Sequence, residues 1–137
     1  VLVPTRELAS QVYNAMLYYS ANMDIVTIAI YGGVKLTPQT NKLQKGADVL
    51  IATPGRLIEH LQMGHLDLAK VELLVFDEAG YRVGFGKGYY DRFLAKKEEH
   101  TALIGFSYFD PIPLISDTHE FDIPLHLGIT PKRIYEF

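Results

Sequence analysis

The 137-residue sequence contains no cysteine, which excludes disulfides, catalytic thiolates and cysteine-ligated zinc. No apolar run reaches the roughly 18 residues that a membrane-spanning helix needs, and no signal-peptide pattern is present. Basic residues are also few: the sequence has 13 Lys and Arg against 16 Asp and Glu, which gives a net charge of −3. We therefore expect no membrane partner. The acidic balance also argues mildly against a dedicated nucleic-acid binder, which usually has a basic face.

The remaining composition is that of a globular protein, with 48% hydrophobic and 21% charged residues. Short apolar segments typical of buried strands alternate with segments whose apolar residues recur at helical spacing. This alternation predicts a parallel sheet with helices on both faces. We predict an α/β fold and a single domain over residues 1–137: a three-layer α/β/α sandwich with a mostly parallel, doubly wound (Rossmann-like) sheet. The predicted strands are residues 1–3, 24–30, 48–52, 72–76, 101–106 and 126–129, and residues 134–137 are a tail or an edge strand.

Three threonines mark predicted helix starts. Thr5 precedes a helix whose apolar positions are Leu8, Val12, Ala15, Met16 and Tyr19. Thr37-Pro38 starts a second helix that ends near Gly46. Thr53-Pro54 starts a third helix, which ends near Gly64. We expect its inward-facing side chains to be Leu57, Ile58 and Leu61.

Candidate ligand-binding residues follow several predicted strands. In doubly wound sheets, ligands bind beyond the carboxyl ends of the strands. The residues in question are Thr5, Gly32, Thr53, Asp77 and the glycine-rich segment 84–88. The architecture alone predicts that they gather on one rim, so this crowding is no evidence of a working site.

Four motifs in residues 1–79 come in a recognisable order: Pro-Thr-Arg-Glu-Leu-Ala at 4–9, Gly-Gly at 32–33, Thr-Pro-Gly-Arg at 53–56 and Asp-Glu-Ala at 77–79. This part resembles the N-terminal, RecA-like domain of DEAD-box RNA helicases, although Gly80 stands where that family has Asp. The resemblance implies contacts with the RNA backbone through hydroxyls, helix amides and arginines. The residues it designates are Thr5, Arg6, Gly32, Gly33, Thr53 and Arg56. Because the net charge is acidic, we nevertheless expect RNA to be an unlikely partner.

Asp77 and Glu78 resemble the pair that holds magnesium and orients water in the helicase ATPase. That chemistry needs a Walker A loop to cradle the phosphates. No Gly-x4-Gly-Lys-Ser/Thr pattern occurs in the sequence. We therefore expect no ATP-driven unwinding, and we interpret both residues as a solvated strand end.

Residues 80–137 resemble the C-terminal part of 5-formyltetrahydrofolate cyclo-ligases (methenyltetrahydrofolate synthetases). The likeness rests on Gly-Tyr-Arg-Val-Gly-Phe-Gly-Lys-Gly-Tyr-Tyr-Asp-Arg at 80–92 and Phe-Asp-Ile-Pro-Leu at 121–125. It implies a loop around nucleotide phosphates, formed by Arg82, Gly84, Gly86, Lys87, Gly88, Tyr89 and Tyr90. It also implies magnesium ligands at Asp91 and Asp122. His126 departs from the family pattern, which commonly has Asp there.

The two resemblances meet near residue 79, where one apolar strand satisfies both patterns. We therefore predict a recombined chimera of segments 1–79 and 80–137, a scaffold with no evolved catalytic function and no required cofactor. Weak Mg·ATP or phosphate binding through the glycine loop is the alternative, and residual cyclo-ligase activity is a weaker one. We further expect a cytoplasmic origin of both parents, a recombinant product, a nucleotide as partner and homodimerisation through an exposed sheet edge.

The five histidines show no paired spacing with acidic residues. His60 and His65 are five positions apart, and Gly64 lies between them. We therefore expect histidines at the surface rather than a zinc site.

Overall fold

The computed structural model describes residues 1–76, 101–107 and 125–137. The chain divides into two compact units, Val1–Asp67 and Leu68–Phe137. The boundary between them lies inside the helicase-like segment, before the junction expected near residue 79. The predicted glycine loop and the helix after it lie outside the described residues.

The first unit alternates helices and strands as the sequence predicts. Its elements are α1 (Arg6–Tyr19), β1 (Thr27–Ile30), α2 (Leu36–Leu43), β2 (Val49–Ala52) and α3 (Pro54–Gln62). β1 pairs in parallel with β2, from Thr27 opposite Val49 to Ile30 opposite Ala52. Leu2 forms a parallel bridge with Ala52, so β2 lies between the first residues of the chain and β1.

Helix α1 begins where the sequence predicts. Thr5 has an extended backbone, and its hydroxyl accepts a hydrogen bond from the Leu8 N–H at 3.2 Å, which satisfies one of the open amides of the first turn. Ala9 is buried with Val3 and Ile51, and the flanking contacts come from Leu8, Val12, Tyr13 and Met16. Ala15 and Tyr19, which share the helical spacing of the apolar positions, are exposed, because the buried face runs through positions 8, 9, 12, 13 and 16.

The predicted bounds of the next elements shift by a few residues. α2 begins at Leu36 with Lys35 as its N-cap, so Thr37 is not the cap. It ends at Leu43, and Gly46 follows with φ +89. α3 has Thr53 as N-cap and Pro54 in its first turn, as predicted, and Gly64 follows with φ +69. Its buried residues are Leu57 and His60, whereas Ile58 and Leu61 are only partly buried.

The second unit contains a mostly parallel sheet in the part of the chain that the structure describes. Its strands are β3 (Leu73–Phe76), β4 (Ala102–Phe106), β5 (Leu127–Ile129) and β6 (Ile134–Glu136), hydrogen-bonded in that order. β3, β4 and β5 are parallel neighbours, and β6 returns antiparallel to β5. The predicted α/β class with mostly parallel strands is confirmed. Among the described residues, no helix is long and apolar enough to cross a membrane.

His126 has a backbone-pairing role in this unit. Its Nδ1 accepts a hydrogen bond from the Leu103 N–H at 2.9 Å, and its own N–H donates to the Leu103 carbonyl. The two bonds tie the backbone at the start of β5 to β4.

Candidate functional site

Three segments of the first unit end side by side. The Val3 N–H donates to the Ala52 carbonyl at 3.0 Å, and the Thr53 N–H donates to the Ile30 carbonyl at 3.1 Å. Because neighbouring parallel strands end at the same edge, the residues that follow them are brought together. These are Thr5, Gly32 and Thr53, three of the residues designated by the sequence. Two helices, α1 and α3, also begin at this edge.

The N-terminus of α1 presents an exposed cation at this edge. The Arg6 side chain is 61% exposed, and its Nε donates a hydrogen bond to Glu7 Oε1 at 2.7 Å. This hydrogen bond raises the pKa of Arg6 and lowers the pKa of Glu7, so both groups are charged at neutral pH. An exposed pair of this kind contributes little to stability, and Arg6 can exchange Glu7 for another anion at low cost.

The Arg6 side chain also reaches the loop after β1. A Cβ atom added to Gly33 would stand 3.0 Å from Arg6 Nη1. Gly33 has φ +80, a conformation that residues with a side chain rarely adopt. Glycine at position 33 is therefore explained by its own backbone, and its bare surface leaves room for the guanidinium of Arg6.

Gly32 and Gly55 are different, because the chain itself does not require glycine at either position. Neither has a positive φ, and among the described residues no atom lies within 4 Å of a Cβ placed on either one. Glycine without a conformational or packing reason is typical of positions where another molecule approaches the backbone closely. Both positions lie at the edge where the strands end.

The N-terminus of α3 keeps its first amides open. Thr53 is the N-cap, yet its side chain makes no capping hydrogen bond with the first turn of α3. Pro54 contributes no N–H, and the Leu57 N–H is bonded to the Thr53 carbonyl. Within the part of the chain that the structure describes, the amides of Gly55 and Arg56 therefore remain as the open donors of a helix N-terminus, where the helix dipole favours an anion.

Arg56 is mostly buried, with a side chain 9% exposed. Its Nη2 donates to the Val34 carbonyl at 3.0 Å, which ties α3 to the loop after β1. Its Nε lies 2.9 Å from Glu59 Oε2 but is misaligned for a hydrogen bond, so this contact is an ion pair only. Within the described residues, buried Nη1 has no hydrogen-bond partner. The predicted phosphate-binding arginine is thus turned mainly toward its own protein.

Gln39 is a residue of the site that sequence reasoning missed. It is 7% exposed, and its side-chain amide bonds twice to the backbone of Tyr31. Oε1 accepts from the Tyr31 N–H at 3.2 Å, and Nε2 donates to the Tyr31 carbonyl at 3.1 Å. A polar residue on the buried face of a short helix is the only available signal, and helical periodicity alone does not reveal its partner.

His60 and His65 contradict the expectation of surface histidines. His60 is fully buried, His65 is partly buried, and their Nδ1 atoms are 3.1 Å apart. At that distance one Nδ1 carries the proton and the other accepts it. Burial lowers the pKa of His60, and the charges of His65 and Arg56 lower it further, whereas Glu59 acts in the opposite direction. Among the residues that the structure describes, no group of three or more His, Asp or Glu could hold a metal ion.

The remaining predicted site residues lie outside the described residues. From the helicase-like set these are Asp77 and Glu78. From the cyclo-ligase-like set they are Arg82, Gly84, Gly86, Lys87, Gly88, Tyr89, Tyr90, Asp91 and Asp122.

A family model described as DEAD/DEAH box helicase matches residues 1–107. The chain belongs to the DEAD/DEAH box helicase family. The matched range continues past the junction expected near residue 79, and nothing in these comparisons shows a cyclo-ligase part.

Curated relatives from a plant and a bacterium are helicases of the same kind. DEAD-box ATP-dependent RNA helicase 20 of Oryza sativa subsp. japonica is 45% identical over 86 residues, which is 63% of this chain and 17% of that protein. ATP-dependent RNA helicase DeaD of Escherichia coli strain K12 is 47% identical over 88 residues, 62% of this chain and 14% of that protein. The chain therefore spans about a sixth of the length of these helicases.

Two solved structures share the fold. The yeast DEAD-box splicing factor Prp28 superposes with a TM-score of 0.63 at 36% identity, covering 73% of this chain and 24% of that one. A hypothetical ATP-dependent RNA helicase from Sulfolobus tokodaii gives a TM-score of 0.65 at 32% identity, covering 76% of this chain and 31% of that one. The chain thus has the RecA-like α/β fold of DEAD-box helicase domains.

Two predictions are corrected by these findings. The chain is not a function-free chimeric scaffold, because it belongs to a helicase family by its family match and by its curated relatives. The expectation that RNA is an unlikely partner is also wrong, since the relatives are RNA helicases by name. The error came from using the net charge of the whole chain to judge a local site.

Proposed function

We propose that the Val1–Asp67 unit is a sequence-independent RNA-backbone-binding part of a DEAD-box helicase domain. The observation that carries the proposal is not the crowding itself but the kind of group found at the edge where β1 and β2 end, since packing and backbone conformation do not explain these groups. Two helix N-termini, an exposed arginine and two unexplained glycines gather there. Such groups recognise phosphates rather than bases, so they position RNA without reading its sequence.

The proposed contacts use donors that the fold leaves open. One phosphate lies at the N-terminus of α3, where the amides of Gly55 and Arg56 and the hydroxyl of Thr53 donate to its oxygens. A neighbouring phosphate draws Arg6 away from Glu7 and approaches the Gly32–Gly33 backbone. Buried Arg56 contributes charge behind the first phosphate and orders the loop through the Val34 carbonyl.

The charge distribution is compatible with this role. Residues 1–67 contain five basic and five acidic side chains, so the acidic excess of the chain belongs to residues 68–137. A neutral unit can bind RNA when a few donors and one arginine converge on the backbone. We expect weak binding that falls steeply with salt.

The proposed function does not include ATP binding or hydrolysis. The relatives are named ATP-dependent, and in the complete helicases ATP and magnesium would supply the driving reaction. Among the described residues, no group of three or more His, Asp or Glu could hold a metal ion. The sequence has no Walker A pattern, and Asp77 and Glu78 lie outside the described residues. We derive no hydrolytic step for this chain.

The cyclo-ligase likeness of residues 80–137 stays a prediction about ancestry, without a proposed activity. Its support is the pattern at 80–92 and 121–125. An experimental structure covering residues 77–124 tests it. A glycine loop at 84–88 leading into a helix supports the likeness, and a continued helicase-domain topology contradicts it.

Salt-dependent RNA binding tests the proposed function. Fluorescence anisotropy with a labelled U12 oligonucleotide is measured without ATP at several salt concentrations, for the parent, Arg6→Ala and Lys42→Ala. Lys42 is an exposed cation in the last turn of α2 and serves as the matched control. We expect Arg6→Ala to weaken binding and to reduce the slope of log K against log salt by about 1.

Two further results define the outcome. A12 should bind within a few-fold of U12, since the contacts are to the backbone. No RNA binding by the parent, or equal effects of Arg6→Ala and Lys42→Ala, contradicts the proposal.

A further inference from the structure

The loop between β1 and α2 is held at Tyr31 by one side chain. Gln39 reaches from α2 and bonds to both the N–H and the carbonyl of Tyr31, at 3.2 and 3.1 Å. This is the pattern that a paired strand residue makes with its neighbour. Gln39 is 7% exposed, and burying its side-chain amide without hydrogen-bond partners would be costly. The two hydrogen bonds therefore hold the Gln39 amide and the Tyr31 backbone in one arrangement.

The residues after Tyr31 cannot hold their own position. Gly32 and Gly33 have no side chains to pack, and glycine is the most flexible residue of the backbone. Their position therefore depends on what holds the chain on either side. On one side is the Gln39 clamp at Tyr31, and on the other is Arg56, whose Nη2 binds the Val34 carbonyl at 3.0 Å.

We propose that Gln39 is a positioning residue for RNA binding: its side-chain amide sets the Gly32–Gly33 backbone against the phosphate without touching RNA itself. The inference rests on the proposed function, because it assumes that this backbone meets RNA. Gln39 lies behind the loop, on the buried face of α2, and acts through Tyr31. Ordering the loop before binding removes an entropic cost that RNA would otherwise have to offset.

Two substitutions separate positioning from simple stability. Gln39→Leu keeps the approximate size and removes both hydrogen bonds, and we expect about a 3- to 10-fold loss of U12 affinity. Gln39→Glu keeps the length, but its carboxylate only accepts, so it faces the Tyr31 carbonyl without a donor. When protonated, the same carboxyl accepts from the Tyr31 N–H and donates to the carbonyl, like the amide.

This gives a pH signature that lost stability alone does not produce. The ratio of the Gln39→Glu dissociation constant to that of the parent should fall toward 1 as pH is lowered from 7.5 toward 4.5. Measuring both proteins at each pH removes changes that they share. Gln44→Glu is the control, since it makes the same chemical change at an exposed position next to α2, and its ratio should not depend on pH in this way.

Hydrogen exchange of the Tyr31 amide tests the clamp directly without RNA. The Tyr31 N–H should exchange faster in Gln39→Leu than in the parent, while amides inside α1 keep their rates. If Gln39→Leu folds poorly, Gln39→Met replaces it, and folding is checked by circular dichroism before each titration.

The possible results are distinct. A parent that binds no RNA overturns the proposed function and this inference with it. A parent that binds, with Gln39→Leu at parental affinity or a Gln39→Glu ratio that is flat with pH, overturns the inference alone. Weaker binding by Gln39→Leu together with recovery of Gln39→Glu at low pH supports it.

Discussion

Gly33 and Gly55 show that glycine occurs in this site for two different reasons. Gly33 has φ +80, so its own backbone conformation explains it. Gly55 lies in the first turn of α3 with an ordinary φ and open space above its Cα. The described chain leaves room for a methyl group there, and the proposed approach of an RNA phosphate to this backbone would account for the glycine.

Gly55→Ala should therefore affect stability and RNA binding in opposite directions. Alanine has the higher helix propensity and a less flexible unfolded chain, so we expect the free energy of unfolding to rise by about 0.5 kcal/mol. The added methyl group should keep a phosphate away from the α3 amides and weaken U12 binding several-fold. Urea unfolding and anisotropy measure the two effects.

Gly64→Ala is the matched control for this substitution. Gly64 also has open space around it, but its φ is +69, so alanine should lower stability by about 1 kcal/mol and leave RNA affinity unchanged. Unchanged RNA binding by Gly55→Ala would remove the argument that a ligand approaches this glycine.

At this scale, sequence reasoning succeeded where the cause is local. Thr5 caps α1 because an N-cap needs only the following three residues. The burial of Gln39 and His60 could not be predicted, because their partners Tyr31 and His65 become neighbours only after the helices pack. Arg56 was expected to add charge near the RNA backbone, and its bond to the Val34 carbonyl was not predictable because it also depends on packing.

Among the elements, α3 links the candidate site to the buried histidine pair. Arg56 lies in its first turn, and His60 lies one turn later against His65 in the following loop. Thr40 Oγ1 of α2 lies 3.4 Å from His65 Nδ1, so the two histidines also connect α3 to α2. Protonation of His60 would place a buried positive charge against His65 and the Arg56 guanidinium, so burial and these two neighbours lower the pKa of His60.

The histidine pair predicts a loss of stability in mild acid. The pKa of His60 is lowered in the folded state below its ordinary value of about 6.5, so the unfolded chain binds the proton more readily. The contribution of neutral His60 to the free energy of unfolding is complete above about pH 6.5, the unfolded-state pKa. It is lost as the pH falls from there toward the lowered pKa of the folded state. Urea unfolding followed by circular dichroism should show less stability at pH 5 than at pH 7.5.

His60→Gln is the control for this pH dependence. Gln has similar polarity and no titratable proton, so the difference in stability between pH 7.5 and pH 5 should be smaller in the variant. The same loss in both proteins would assign the effect to other groups and contradict the prediction.

Helix and strand order followed from the sequence, whereas the details of the faces did not. Apolar residues in α1 recur at both i+3 and i+4, so positions 12 and 16 fit two adjacent faces. Ala15 and Tyr19 also fit the apolar spacing, and packing against Val3 and Ile51 selected a face that leaves both exposed. The start of α2 was missed because its N-cap is Lys35, which has no capping side-chain bond.

For the whole molecule, composition was a poor guide to function. The net charge of −3 argued against RNA, yet the acidic excess belongs to residues 68–137 and the candidate site lies in the charge-balanced first unit. The α/β class was predictable because it depends on the alternation of apolar segments along the entire chain. The helicase motifs also identified the family, whereas the prediction of a function-free chimeric scaffold was wrong.

The most direct test of the central claim is an NMR titration of the ¹⁵N-labelled chain with U12 RNA at low salt. We expect saturable shifts that concentrate on the amides where β1 and β2 end: Arg6, Gly32, Gly33, Gly55 and Arg56. Amides on the exposed face of α2, including Lys42, should move little. No shifts at saturating RNA, or shifts concentrated away from that edge, would contradict the claim that this edge binds the RNA backbone.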